Sequence, residues 1–204
     1  VIWSGDEDSG FLSSHRIFST ATHAAEGIYG PATGKRLRYR VVADCAARDN
    51  QIYDEWLIRD QGAIVRQLGL DPRKFAADEI DREGGRDQAK RPFTPQIDQA
   101  GRYLGVGNDN EWGQRHEALL ESLMAGDIAV VERAYDRAAQ LEHPGGVTGV
   151  GWGDAEAFWL ALRSSFPSAT FQVHHRIGRD DEGLAPRSAL RWSLTGTHDG
   201  WGAF

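Results

Sequence analysis

The sequence predicts an α+β protein, a curved antiparallel sheet packed with helices. Three observations lead there. The stretch RIFSTATH, ending at His23, has an echo in RWSLTGTH, ending at His198. Laying residues 1–29 over 176–204 without a gap gives nine identities: Ile2/Ile177, Asp6/Asp181, Glu7/Glu182, Ser13/Ser188, Arg16/Arg191, Thr20/Thr195, Thr22/Thr197, His23/His198 and Gly27/Gly202. Chance would give about two, so an internal duplication is expected. Each copy reads as a strand, an acidic turn (residues 6–10 or 180–183) and a longer strand ending at Thr-His, which is hairpin grammar. Between the copies, apolar residues shift to helical spacing.

Taken in order, a Pro/Gly turn at residues 30–34 precedes a strand near 36–46, a turn at 48–51 and a strand near 52–59. A helix follows over 60–70, with Asp60 as N-cap, Ile64, Val65 and Leu68 on one face, and Gly69 as a stop. Residues 71–111 are broken by Gly and Pro and dense in mixed charge, and predict a linker with one short helix near 72–80. From Trp112 the period is helical again, with Leu119, Leu120, Leu123 and Met124 on one face. Gly126 ends that helix and Asp127 caps the next, whose face carries Ile128, Val131, Ala134, Tyr135 and Ala138. A glycine-rich turn then leads to Asp154 as a cap, a short helix with Phe158, Trp159 and Leu162, and a strand over 171–177.

Composition narrows the function classes. A net charge of −7 argues against a nucleic-acid backbone as partner, because such surfaces need clustered positive charge. One cysteine, Cys45, excludes an intrachain disulfide and a cysteine-rich zinc site. Seven tryptophans suit a core and the wall of an apolar cavity. No stretch reaches the roughly eighteen apolar residues of a membrane span, and no signal peptide is visible, so a cytoplasmic location is expected. The opening valine suggests a processed or trimmed piece.

Particular runs carry a family resemblance. GWGDAEAFWLALRSSFPSATFQVHHRI, followed by SALRWSLTGTHDGWGAF, resembles the front of a SnoaL-like polyketide cyclase module of the NTF2-like superfamily. THAAEGIYGPATGKRL, then IYDEWLIRDQGAIVRQLGL, resembles the back of such a module. The family's Thr-His falls on Thr22-His23, and its Gly-Pro-x-Thr-Gly-Lys on residues 30–35. Its Glu-x-Trp falls on Trp56 with Asp54 in the glutamate's place, its downstream aspartate on Asp60, and its Gln-Leu-Gly on residues 67–69. About 160 of the 204 residues are covered.

The resemblance implies that residues 1–70 are the C-terminal half of a first module, 71–111 a linker, and 112–204 the N-terminal half of a second. The reading favoured is two tandem modules with material missing at both ends. The alternative is that the halves complement each other into one permuted or swapped module. The fold implied is a cone, a curved sheet closed by helices around a pocket, commonly in a homodimer. The activity implied is cofactor-independent acid–base chemistry, an intramolecular aldol condensation or a related isomerisation or dehydration, on a small hydrophobic carbonyl compound. Non-catalytic binding of a small molecule, or dimerisation, is the alternative. A weaker third option is a domain that covers a partner protein with an outward apolar sheet face.

A catalytic carboxylate needs an apolar surround, since desolvation raises its pKa toward the working range. Alternation places Asp54, Trp56, Ile58 and Asp60 on one strand face, so Asp54 and Asp60 are the candidate bases. His23 is the candidate acid or anchor, with His198 its counterpart in the second copy. Trp56, Trp159, Trp192, His174 and His198 are the candidate pocket residues. The competing readings are that Asp60 only caps a helix, Asp54 lies at a wet turn, and His23 holds the glycine-rich loop. His174 and His175 point to opposite faces of a strand and form no metal signature without a third ligand. PATGK lacks phosphate-loop spacing. No cofactor and no metal are expected.

Overall fold

The computed structural model describes residues 1–6, 10–90, 97, 99, 101–202 and 204. The acidic turn expected at residues 6–10 falls largely on 7–9, outside the described residues. The first half is an antiparallel meander of β1 (Ile2–Asp6), β2 (Gly10–Thr22), β3 (Arg36–Arg48) and β4 (Gln51–Arg59). Asp49 and Asn50 join the last two strands with φ of 51° and 59°, the paired left-handed geometry of a tight two-residue hairpin. α1 (Gln61–Leu68) starts at Asp60, whose side chain accepts from Ala63 N, and stops at left-handed Gly69. Its Ile64 and Leu68 bury against Leu37 of β3, with Tyr29 and Tyr39 alongside. α2 (Pro72–Arg82) is capped by Asp71 and buries none of its residues, and its Phe75 stacks on Tyr29.

The second half runs α3 (Glu111–Met124), α4 (Val130–Ala134), the hairpin β5 (Gln140–His143) and β6 (Val147–Val150), α5 (Gly151–Ser165), β7 (Thr170–Arg179) and β8 (Arg187–Thr195). A 3-10 turn at Pro144–Gly146 links β5 to β6. α4 ends well before Ala138, because Tyr135 turns extended and the chain leaves for β5. α5 begins at Gly151, so Asp154 lies inside its first turn rather than before it. Its carboxylate accepts from Val150 N at 2.7 Å, satisfying an N–H at the helix start. Leu120, Leu123, Met124, Val131, Ala155, Trp159 and Leu162 form the helical core, backed by Phe171 and Trp192. Among the described residues no helix is long and apolar enough to cross a membrane.

The two hairpins that the nine identities align pair in one register. Ile2 lies opposite Ser14, and the positions 175 residues later, Ile177 and Ala189, also lie opposite each other. Both isoleucines bury in a third core that crosses between the halves, with Leu12, Ala46 and Tyr103.

The expected cone is not formed. The α+β class holds, but among the described residues the strands make three separate sheets, β1-β2-β3-β4, β5-β6 and β7-β8, and no single curved sheet closes around a pocket. Hydrogen bonding explains why. The free edge of β7 is occupied by the chain at 106–108: Arg176 N donates to Val106 O and Asn108 N donates to Arg176 O. The Asn108 side chain accepts from Gly178 N and donates to Gly178 O. At Arg176 and Gly178 the backbone groups of this edge are therefore taken, and β7 has no ladder to offer another strand there. The two hairpins instead touch through side chains, Arg187 donating to Val1 O and Arg179 lying over the Trp3 ring. The NTF2-like cone is therefore corrected, and with it the SnoaL-like polyketide-cyclase architecture.

Candidate functional site

Register sets which side chains of the four-stranded sheet face the second half. Val42 is opposite Ile58, Asp44 opposite Trp56 and Ala46 opposite Asp54, so these residues share one face. Near Ala46 that face is covered by Tyr103 and Ile177. Near Ile58 it remains open, and β5 and α5 stand across from it. The result is an open cavity of about 760 Å³ between the halves. Val42 and Ile58 form one apolar wall, and Leu141, Ala155, Phe158 and Trp159 form the other. The last three recur at helical spacing on α5, which turns them to the same side.

Polar groups are few and placed by specific contacts. Trp159 Nε1 donates to the Tyr135 hydroxyl at 3.0 Å, and burial raises the Tyr135 pKa, so the phenol stays neutral. The His143 ring stacks on Phe158 with centroids 4.3 Å apart. Burial lowers the His143 pKa, Asp154 partly opposing it and Arg40 reinforcing it, and its buried Nε2 has no hydrogen-bond partner among the described residues. Glu142 lies 3.3 Å from Arg40 and 3.7 Å from Arg16. Arg40 also donates to Val147 O.

Asp60 lines the cavity, but its oxygens are committed. Oδ1 accepts from Ala63 N and from Gly145 N at 2.8 Å, and Oδ2 accepts from Gly146 N at 2.8 Å. Gly145 and Gly146 have φ of 81° and 72°, a left-handed pair that presents both N–H groups to one carboxylate. Asp60 thus clips α1 to the turn after β5. Asp60→Ala removes a helix cap and leaves two turn N–H groups without that acceptor, and is expected to cost about 2 kcal/mol of stability. Urea denaturation checks this, and a loss below about 0.5 kcal/mol would contradict the clip.

The other predicted residues lie elsewhere. Asp54 Oδ2 accepts from Tyr103 N at 3.2 Å and packs so tightly on Gly101 that any Cβ there would collide with it. His23 is buried, bonds Thr33 Oγ1 through Nδ1 at 3.0 Å, and holds the 23–35 loop through its backbone N–H and C=O. Trp56 meets Tyr103 edge-on and carries the Arg191 guanidinium 3.5 Å above its ring. Trp192 packs on Phe171 in the helical core. His174 bonds Ser193 Oγ at 2.8 Å, and His198 rests edge-on against Phe166. Of the residues singled out from sequence, the structure brings together Asp60 and Trp159 in the cavity.

Sequence reasoning passed over Arg16, Arg40, Tyr135 and His143, which line the same cavity. Arg16 was among the nine identities and Tyr135 on a helical face, but nothing local marked them as neighbours. Sequence reasoning named His175 only as one of a pair on opposite strand faces; it is buried and bonds the Tyr103 hydroxyl at 2.9 Å. A register shift between Val173 and His175 interrupts the strict alternation expected for the histidine pair. No family model, no curated protein and no solved structure matches the chain.

Proposed function

We propose that this protein binds a small, mainly apolar molecule bearing a carbonyl or carboxylate oxygen in the cavity between β3–β4 and α5. One observation carries the reading: facing apolar walls from two separate parts of the chain flank an open space of about 760 Å³ with a few polar groups. Ligand sites typically occupy about 300–1,000 Å³ and are lined in this way. The apolar body lies against Ile58, Phe158 and Trp159, and its oxygen meets Arg40 or Tyr135. Titration with 2-acetylnaphthalene is expected to quench tryptophan fluorescence saturably. Ile58→Trp fills the open wall from an exposed strand position and is expected to abolish that binding at an unchanged Tm. Absence of saturable binding, or equal binding by the Ile58→Trp variant, would sink the reading.

Acid–base chemistry on a hydrophobic carbonyl compound is the second reading, favoured by His143. A neutral imidazole whose buried Nε2 bonds no described residue can take a proton from carbon next to a carbonyl once the ring turns that nitrogen into the cavity, whereas Asp60 has its oxygens committed to N–H donors. Deuterium exchange into the methyl group of 2-acetylnaphthalene, followed by NMR, is expected to fall about 100-fold in His143→Gln while binding persists. Exchange unaffected by that substitution leaves binding alone.

A further inference from the structure

A second cleft, of about 390 Å³, adjoins the cavity and shares Arg40 and Gly145 with it. Arg38, Arg40 and Arg66 line it beside Phe18 and Gln67, with no acidic residue among its described lining. In a chain of net charge −7 this local balance is unusual. The side chains of Arg38 and Arg66 form no ion pair with any described residue. Their backbones are fixed relative to each other. Gln67 Nε2 donates to Arg38 O at 2.6 Å and Arg38 N donates to Gln67 Oε1 at 2.8 Å, pinning α1 to β3. A Cβ at Gly145 would lie 2.9 Å from Arg66 Nη1, so glycine at this turn leaves room for the guanidinium.

Arg40 is partly neutralised by Glu142, but Arg38 and Arg66 are like charges held on rigid elements, and an anion beside them converts their repulsion into attraction. Guanidinium groups match phosphate oxygens with paired N–H donors, and three of them suit a dianion better than a single carboxylate. We infer that this cleft receives the phosphate of a phosphomonoester whose aromatic or aliphatic body fills the adjoining cavity. The inference rests on the cavity reading for that body, and narrows its ligand to an amphiphilic anion. The shared Arg40 is the hinge between the two parts, facing Glu142 in the cavity and the anion in the cleft.

The test compares dissociation constants for 1-naphthyl phosphate, 1-naphthoate, 1-naphthol and inorganic phosphate, by calorimetry on the full chain. The phosphate ester is expected to bind about tenfold or more tightly than 1-naphthol. It should exceed 1-naphthoate, and its advantage should shrink between about 50 and 500 mM salt because two of the arginines are exposed. In the double variant Arg38→Gln/Arg66→Gln the advantage should disappear while 1-naphthol affinity stays unchanged. Equal affinity for ester and alcohol, or an advantage that survives the double variant, overturns the inference and leaves the cavity reading intact. A carboxylate that binds as tightly as the phosphate overturns the phosphate assignment. Inorganic phosphate binding that depends on Arg38 and Arg66, without binding of any naphthyl probe, supports the cleft and refutes the cavity. Binding of none of the four refutes both.

Discussion

Ile177→Ala is expected to lower stability by about 3 kcal/mol, read as a fall in the urea midpoint at unchanged m-value. Ile177 is fully buried and packs with Ile2, Leu12 and Ala46 of the four-stranded sheet and with Tyr103 of the segment between the halves. The substitution removes apolar contacts and leaves a void that rigid strands on both sides collapse into poorly. The consequence extends to the β4 wall of the cavity, since Trp56 of β4 packs against the same core. Loss of probe binding should therefore accompany the loss of stability. Leu104→Ala, at an 85% exposed position, serves as the control and should change stability by less than about 0.5 kcal/mol. A cost below about 1 kcal/mol for Ile177→Ala would mean that the halves do not pack as described.

Acid is expected to loosen the same seam. Burial first, and the charge of Arg191 second, push the His175 pKa down to about 4 from an ordinary 6.5. Between those values the unfolded chain binds a proton that the folded chain does not. Stability is therefore complete above about pH 6.5 and falls as pH drops toward 4, by about 3 kcal/mol for this group. His116 and His143 are also lowered by burial and act in the same direction. A variant separates their contributions. In His175→Phe the stability difference between about pH 7 and pH 4.5 should shrink by about 2 kcal/mol relative to the parent. An imidazole resonance for His175 titrating near 6.5, or no change in the pH profile of the variant, would refute the buried neutral imidazole bonded to Tyr103.

Hairpin, cap and helix signals could be read locally because each depends on residues within a few positions of one another. Asp60 before Ile64, Val65 and Leu68 announced α1, and Gly69 announced its end. The Thr-His and glycine-rich run announced the loop that His23 closes. The matched register of Ile2/Ser14 and Ile177/Ala189 reflects the same kind of local information carried twice. The cone went wrong at a longer range. Whether β7 continues into a larger sheet depended on what occupies its edge, and the occupant is Val106–Asn108, from a stretch whose composition read as linker.

The cavity shows the division most plainly. Strand alternation alone put Asp54, Trp56, Ile58 and Asp60 on one face, and the register agrees for the first three. Their fates differ because the second half covers the two ends of that face differently: Tyr103 sits on Asp54 and Trp56, while β5 and α5 leave open space beside Ile58. Sequence by itself determined β1 to β4, α1 with its cap and stop, and the β7–β8 hairpin, since those follow from backbone preference and apolar spacing over short stretches. The early end of α4 and the β5–β6 hairpin were not legible there. Only the tertiary structure decided which edge is blocked, which histidine is buried and which arginines meet, because each of those depends on packing between residues distant in the chain, such as Asn108 and Arg176, Tyr103 and His175, or Arg38 and Gln67.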